Sequence, residues 1–166
     1  MISKVYFPRI ILPISIIMVH FVDFMISFIV LLAFLSMTGT FSIWSLIGIP
    51  IFILLTLLLC VGTGLWLAAI SVRYRDFRFI VPFVVQFGVF ISPVGYSSFL
   101  VADNLRWFYF LNPMAGIIEG FRWCCFGVYH VDLPLAIVLS CVMNGAILVS
   151  GFRFFRNMER VCADII

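Results

Sequence analysis

"FMISFIVLLAFLSMTGTFSIWSLIGIPIFILLTLLLCVGTGLWLAAISV", residues 24–72, contains no charged side chain in 49 consecutive positions. A helix needs about 20 apolar residues to cross the hydrocarbon core of a bilayer. The run is too long for one such helix, and "TGT" at 38–40 supplies a turn signal inside it. The stretch therefore predicts most of one membrane-spanning helix and all of a second.

The composition of the whole chain points the same way. Charged residues make up 10% of the 166 positions, aromatic residues 17%, and the mean hydropathy is +1.28. A soluble domain carries about 25% charged residues, so this chain cannot cover a water-facing surface. Its first apolar stretch is too long for a signal peptide and lacks a small-residue cleavage site, so we expect a retained anchor in a single membrane domain.

Four spans are predicted from the apolar runs, at residues 14–37, 43–70, 79–98 and 133–152. In the third span Pro82 falls in the first turn, where proline is tolerated, and Pro93 predicts a kink or break near Ser92. Asp132 is a candidate N-cap for the fourth span. The expected fold class is an all-α membrane protein with four transmembrane helices and a re-entrant helical hairpin on the outer side.

The hairpin is predicted in residues 103–132. The longest uncharged run there, Trp107–Ile118, has twelve residues and is too short to cross. "LNPMAG" at 111–116 predicts two short helical pieces that break near Asn112–Pro113 and dip from the outer face. The segment is either an aromatic belt at the membrane interface or a lid over a pathway. Glu119 and Arg122, spaced i,i+3, are expected on one helical face.

Lysine and arginine predict the orientation, because cytoplasmic loops carry the excess of positive charge. Eight of the ten basic residues fall on one side of the predicted spans, and only Arg106 and Arg122 fall on the other. We therefore expect residues 1–13, 71–78 and 153–166 to form two cytoplasmic loops and a cytoplasmic tail. Both termini are then cytoplasmic.

The loop "SVRYRDFRF", residues 71–79, has two open interpretations. Its three arginines suit a stop-transfer cluster that binds lipid headgroups. Asp76 and the interleaved aromatic residues instead favour docking to a cytoplasmic partner, because a lipid-binding patch gains nothing from an acid.

Several residues inside the spans are also informative. Asp23 lies within the first span, where a carboxylate costs roughly 2.5–3.5 kcal/mol, and His20 at i−3 is a candidate partner. The two are either a structural polar pair or a polar point on a translocation pathway. Gly62 and Gly64 predict close helix approach. The five cysteines show no spacing typical of a metal site and are interpreted as packing residues.

Four stretches together resemble one family. They are "KVYFPRIILPIS" at 4–15, "VRYRDFRFIVPF" at 72–83, "SPVGY" at 92–96 with "LNPMAGIIEGFRW" at 111–123, and "FRNMERVCADII" at 155–166. Their order and spacing resemble the membrane subunit of type-2 ABC exporters that carry O-antigen, capsular or teichoic-acid polysaccharides. The chain has no GxxxxGK[ST] phosphate loop, so ATP and Mg would be bound by a partner and no cofactor by this chain.

The resemblance implies a homodimeric permease, a second copy of the chain completing the pathway, with two cytoplasmic ABC ATPase subunits beneath. It implies no catalytic or metal-binding residue and no nucleic-acid partner, and it implies a bacterial inner-membrane location. The cytoplasmic loops would act as coupling elements in clefts of the ATPase. The implied coupling residues are Lys4, Phe7, Pro8, Arg9, Arg73, Tyr74, Arg75, Asp76 and Phe77.

Family members usually have an amphipathic helix and two spans before the "KVYFPR" loop, which begins here at Met1. The expectation is an N-terminally truncated permease or one piece of a split one. Sugar rings stack on aromatic side chains, so aromatic residues join the polar ones as pathway or gate candidates. These candidates are Asp23, Trp66, Tyr96, Trp107, Tyr109, Asn112, Pro113, Glu119, Arg122 and Trp123.

Three alternatives stay open from the sequence. One is a type-2 permease for a drug or lipid, which the same general fold would serve. Another is a non-transporting fragment. The third is an intramembrane enzyme built on His20, Asp23, Glu119 and Arg122, although no HExxH or GxSxG motif supports it.

Overall fold

The computed structural model describes residues 10–38, 43–74, 76–92, 94–95, 109–127 and 133–164, and these residues form five α-helices and no strand. Tyr109 and Phe110 are also helical and lead into the fourth helix. The helices are α1 (Ile11–Thr38), α2 (Ile43–Arg73), α3 (Phe77–Ile91), α4 (Pro113–Phe126) and α5 (Leu133–Asp164).

Helices α1, α2 and α5 are long and apolar enough to cross a membrane. They contain 28, 31 and 32 residues, which at 1.5 Å per residue corresponds to about 42 to 48 Å. The predicted spans 14–37, 43–70 and 133–152 lie inside them. The helices continue past the predicted spans, and α5 continues twelve residues past residue 152. This is possible because a helix can extend beyond the hydrocarbon core.

Helix α3 is shorter than the predicted span 79–98. It has 15 residues, about 22 Å, and Ser92 after it is extended at φ −83° and ψ 146°. The break falls where Pro93 predicted it, because a residue before proline is driven out of the α region. The helix also begins at Phe77, so Pro82 lies in its interior and not in its first turn as predicted.

Helices α2 and α5 pack side by side and run in the same direction. Contacts between them advance together along both chains, as four pairs show. These pairs are Leu55–Asn144, Gly62–Leu148, Trp66–Ser150 and Ala69–Phe155. A Cβ on Gly62 would lie 3.0 Å from the Leu148 backbone, so the glycine permits the close approach predicted for it.

Helix α1 runs antiparallel to α2 and is mostly exposed. A Cβ on Gly64 would lie 2.6 Å from Ile17, and Phe28 packs near the other end of α2 with Ile49 and Phe52. Gly64 thus also permits close approach, as predicted. The start of α1 and the ends of α2 and α5 meet at one end of the bundle, where Leu65, Ala69, Phe155 and Met158 form a buried core.

Helix α4 lies against the first halves of α2 and α5. A side chain on Gly120 would collide with the Phe52 ring, and one on Gly116 would collide with Ser140 and Ala136. The positive charges also differ between the two ends of the bundle. Arg73, Arg153 and Arg156 lie toward one end of the bundle, whereas Arg122 of α4 lies toward the other.

Candidate functional site

The first turn of α4 has all of its backbone donors satisfied. Asn112 is the N-cap, and its Oδ1 accepts from the Met114 N–H at 3.0 Å. The Ala115 N–H donates to the Asn112 carbonyl at 3.0 Å, and the Gly116 N–H donates to Ser140 Oγ at 3.1 Å. Pro113 at the first position has no N–H to satisfy. Asn112 is extended, so the helix begins where the sequence predicted a break.

The same asparagine also ties α4 to the end of α3. Its Nδ2 donates to Ser92 Oγ at 3.1 Å, and Ser92 is buried. Ser92 itself donates from its backbone N–H to the Gly88 carbonyl at 2.9 Å. One side chain therefore caps α4 and fixes the residue that ends α3.

An ion pair extends this connection. Arg122 Nη1 donates to Glu119 Oε1 at 3.1 Å, which confirms the face predicted from their i,i+3 spacing. Arg122 Nη2 also reaches the Val94 carbonyl at 3.5 Å. We call Ser92, Val94, Asn112, Glu119 and Arg122 the α4 polar cluster. Ser92 and Val94 follow α3, whereas the other three members belong to α4 and its N-cap, and the contacts that join the two segments link residues 20 and 28 positions apart.

Aromatic side chains pack α4 against α1 and α2. Phe121 contacts Phe24, Phe28 and Phe52, with ring centroids 5.4 to 6.4 Å apart. Trp123 packs against the same core, and Tyr109 meets Phe110 edge to face at 5.4 Å. Trp123 and Tyr109, both predicted pathway candidates, are thus half-buried against neighbouring apolar side chains.

The two thiols of α4, Cys124 and Cys125, are buried. Burial, with a smaller contribution from neighbouring Cys125, raises the pKa of the Cys124 thiol to about 11. A thiol that stays protonated near neutral pH is a poor nucleophile and a poor metal ligand. This agrees with the interpretation of the cysteines as packing residues.

The arrangement suits joining neighbouring segments and recognising a polar group. The cluster offers a carboxylate, a guanidinium, an amide and a hydroxyl, but no nucleophile paired with a base. Glu119 is 3% exposed, whereas the Arg122 side chain is 26% exposed. Arg122 is therefore the member that can still donate hydrogen bonds to an approaching hydroxyl or carboxylate.

Two predicted pathway residues lie outside the cluster. Asp23 Oδ2 is 3.8 Å from His20 Nδ1, so the predicted pair forms, but both side chains are about three-quarters exposed on α1. Trp66 is near the opposite end of α2, stacked on Phe154. The cluster contains Asn112, Glu119 and Arg122 with Pro113 beside them, and does not include Asp23 or Trp66.

The loop predicted to couple to an ATPase is only partly described. Arg73, Tyr74 and Asp76 are exposed, and the Arg73 guanidinium lies 5.6 Å from the centre of the Tyr74 ring. Phe77 is half-buried, and its N–H donates to the Tyr74 carbonyl at 3.0 Å. Seven predicted site residues and the Asp132 cap lie outside the described residues. The seven are Lys4, Phe7, Pro8, Arg9, Arg75, Tyr96 and Trp107.

Sequence reasoning missed three buried polar residues. Ser92 and Ser140 are the partners of Asn112 and Gly116 described above, and Asn144 Nδ2 donates to the Leu55 carbonyl at 2.8 Å. Ser140 and Asn144 are spaced i,i+4 in a predicted span whose other residues are mostly apolar. That spacing places both on one helical face and was the available signal.

These features define an α-helical integral membrane protein: it has long apolar helices, a parallel α2–α5 pair and a capped helix packed at one end. The described residues form no evident catalytic site. Residues 1–126 match the model of the family described as ABC-2 type transporter, and the chain belongs to this family.

Three curated relatives extend the comparison. The chain is 27% identical to an "O-antigen export system permease protein RfbA" of Klebsiella pneumoniae over 167 residues, covering 99% of this chain and 63% of the relative. A second Klebsiella pneumoniae protein of that name is 25% identical over 122 residues. One from Myxococcus xanthus is 27% identical over 124 residues.

The chain spans less than two thirds of the length of these relatives. The second and third matches cover 73% and 74% of this chain but only 47% and 48% of the relatives. No solved structure matches the chain.

Proposed function

We propose that this chain is the membrane-spanning subunit of an ATP-driven exporter of O-antigen-type polysaccharide. The observation that carries the proposal is the similarity to an O-antigen export permease along 99% of the chain. The exporter would hold two copies of this chain in the bacterial inner membrane, and it would move a polysaccharide outward between them.

The direction of the helices supports a topology of four crossings. Helices α2 and α5 run parallel, so an odd number of crossings separates Arg73 from Leu133. Helix α3 starts beside Arg73, and the residues after it reach Asn112 and Arg122 of α4. A single crossing by α3 together with the residues that follow Ile91 gives this odd number, provided that residues 103–132 do not cross.

The capping of α4 supports its placement at membrane depth as the outer re-entrant segment. Backbone that lies in the hydrocarbon without helical partners must be satisfied by protein. The three donors in the first turn of α4 have such partners, and the last turn closes on Gly127, whose N–H donates to the Trp123 carbonyl at 2.9 Å.

The charge division supports cytoplasmic termini. The end of the bundle that carries Arg73, Arg153 and Arg156 would face the cytoplasm, with the α4 polar cluster near the outer surface. ATP and Mg would be bound by two separate ATPase subunits at the cytoplasmic face. The loop that contains the exposed residues Arg73, Tyr74 and Asp76 would transmit their motion to α2 and α3.

The α4 polar cluster would serve as a gate. It joins α3 and α4 through Asn112 and Arg122, so a shift of α3 would be transmitted to α4. The accessible part of Arg122 would offer hydrogen bonds to sugar hydroxyls as they leave the pathway.

Deletion of the reading frame in its native host tests the function. Surface polysaccharide is measured with a specific antibody while the tagged chain, restored from a plasmid, is tested for a co-purifying ATPase. The expected result is polysaccharide retained inside the deletion strain and captured ATPase in the restored strain. Unchanged surface polysaccharide together with no captured ATPase would contradict the proposal.

A further inference from the structure

A groove of about 620 Å³ lies between α2 and α5, toward the end of the bundle opposite the α4 polar cluster. Trp66 of α2 forms one wall. The rest of the lining belongs to α5 and includes Ala146, Val149, Arg153, Phe154 and Asn157. We call it the Trp66 groove.

The aromatic wall of the groove is fixed in place. The Trp66 ring stacks on Phe154, with centroids 4.6 Å apart and planes 16° from parallel. Trp66 Nε1 donates to Ser150 Oγ at 3.1 Å, and the Ser150 hydroxyl in turn donates to the Ile147 carbonyl at 3.1 Å. The indole is therefore held through both its face and its N–H.

The uncharged length of α5 predicts that the groove crosses the edge of the hydrocarbon. Residues 133–152 are uncharged and, at 1.5 Å per residue, extend about 30 Å, the thickness of a hydrocarbon core. Arg153 follows directly and would lie at the boundary, with Ala146 and Val149 one to two turns deeper. A Cβ on Gly145 beside them would meet no atom within 4 Å, so the deep end of the groove has free space.

The polar end of the groove carries a positive charge. The Arg153 side chain is exposed, and none of the described carboxylates pairs with it. Asn157 lies one turn further on the same face and adds amide donors. A guanidinium fork beside an amide matches the oxygens of a phosphate group.

We propose that the Trp66 groove binds an anionic phospholipid. Its phosphate would accept hydrogen bonds from Arg153 and Asn157, and one acyl chain would lie along the Trp66 ring toward Val149 and Ala146. Basic pockets between transmembrane helices hold anionic headgroups in this way. The assignment concerns α2 and α5 alone and does not depend on polysaccharide export.

Native mass spectrometry of the detergent-purified full chain tests the site. The protein is titrated with phosphatidylglycerol, with phosphatidylcholine of the same chains, and with inorganic phosphate as a competitor. The wild type is expected to retain phosphatidylglycerol in preference to phosphatidylcholine, and inorganic phosphate is not expected to displace it. Competition by phosphate at concentrations similar to the lipid would overturn the assignment to a lipid.

Two substitutions localise the binding. Arg153→Gln should lower phosphatidylglycerol binding by about five-fold, the factor expected for one basic residue at a membrane surface. Arg156→Gln is the matched control, because Arg156 is exposed on the same helix but does not line the groove. Equal losses in the two variants would show a general charge effect and overturn the site.

A third variant tests the apolar end. Gly145→Leu places a side chain in the free space beside Ala146 without changing charge, and leucine favours the helix more than glycine. It should lower binding of both lipids. Unchanged lipid retention in a folded Gly145→Leu protein would contradict an acyl chain in the groove.

Discussion

Arg122 Nη1 donates to Glu119 Oε1 at 3.1 Å across one turn of α4, and this pair joins a 3% exposed carboxylate to a guanidinium that is partly accessible. A buried carboxylate needs a partner, because the bilayer and the protein interior solvate it poorly. The accessible guanidinium has a second role available, since it also reaches the Val94 carbonyl at 3.5 Å.

Arg122→Met should destabilise the protein more than the loss of both charges. Removing the arginine takes the 3.1 Å partner away from the buried Glu119 carboxylate, at a cost of about 3 kcal/mol, the low end for a buried pair because Arg122 is partly exposed. The double variant Glu119→Gln with Arg122→Met removes the buried charge as well and should recover part of the loss. Unfolding of the detergent-solubilised variants by SDS titration measures both. A double variant less stable than Arg122→Met would contradict the explanation.

Asn144→Leu should change stability by less than about 1 kcal/mol. Asn144 Nδ2 donates to the Leu55 carbonyl at 2.8 Å, but its buried Oδ1 has no partner among the described residues. An interhelical hydrogen bond in a membrane contributes about 0.6 kcal/mol on average, and leucine removes an unsatisfied acceptor at the same time.

The comparison variant is Asn144→Asp, which places a charge near the middle of α5. We expect it to cost about 2.5–3.5 kcal/mol in membrane insertion. Glycosylation-based insertion assays on α5 measure this cost for Asn144→Asp beside Asn144→Leu, and SDS titration measures the stability of Asn144→Leu. Equal insertion of the two variants would show that Asn144 is not in an apolar environment.

Gly116→Ala should separate α4 from α5. A Cβ there collides with Ser140 and the Ala136 carbonyl, so overpacking should cost about 1–3 kcal/mol and weaken the Gly116 N–H bond to Ser140. Gly88→Ala is the control, because its Cβ meets nothing within 4 Å, and it should stabilise α3 by about 0.5–1 kcal/mol. Thermal unfolding followed by tryptophan fluorescence compares the two, and a smaller loss in Gly116→Ala than in Gly88→Ala would contradict the packing.

Much of the local structure was predictable from the sequence. Hydropathy predicted the helices α1, α2 and α5, the i,i+3 spacing predicted the Glu119–Arg122 pair, and the Asn-Pro dipeptide predicted the start of α4. These features depend on residues within one or two helical turns of each other. Short-range chemistry fixes them, so the sequence alone is sufficient.

The tertiary partners were not predictable in this way. The Asn144–Leu55 bond joins residues 89 positions apart, and the Gly116–Ser140 bond joins residues 24 apart. Each depends on which helices pack together, and many apolar faces of similar composition compete for the same partner. The predicted span 79–98 extends past the end of α3 for another reason. Hydropathy continues past Pro93, while backbone sterics end the helix before it.

Asp76→Ala should weaken ATPase capture and export while leaving stability nearly unchanged. Asp76 precedes α3, its side chain is exposed, and it makes no capping hydrogen bond, so its removal costs the fold little. At a docking site, loss of one member of a partly buried charge pair costs about 2–5 kcal/mol. The variant is introduced on the chromosome of the native host, with Asp76→Glu as the charge-preserving control.

Capture of the ATPase on the tagged chain and the amount of surface polysaccharide are measured together in these strains. We expect Asp76→Glu to retain more of both than Asp76→Ala. Normal export and normal capture in Asp76→Ala would show that the loop is only a topological anchor.

The central structural claim is that α3 crosses the membrane and residues 103–132 do not, which the parallel packing of α2 and α5 supports. Single cysteines at Arg75, Asp103 and Asn157, placed in a variant without the five native cysteines, test it through labelling by a membrane-impermeant maleimide in intact and permeabilised cells. We expect Asp103→Cys to be labelled in intact cells, and Arg75→Cys and Asn157→Cys to be labelled only after permeabilisation. Labelling of Asp103→Cys and Asn157→Cys from the same side would contradict it.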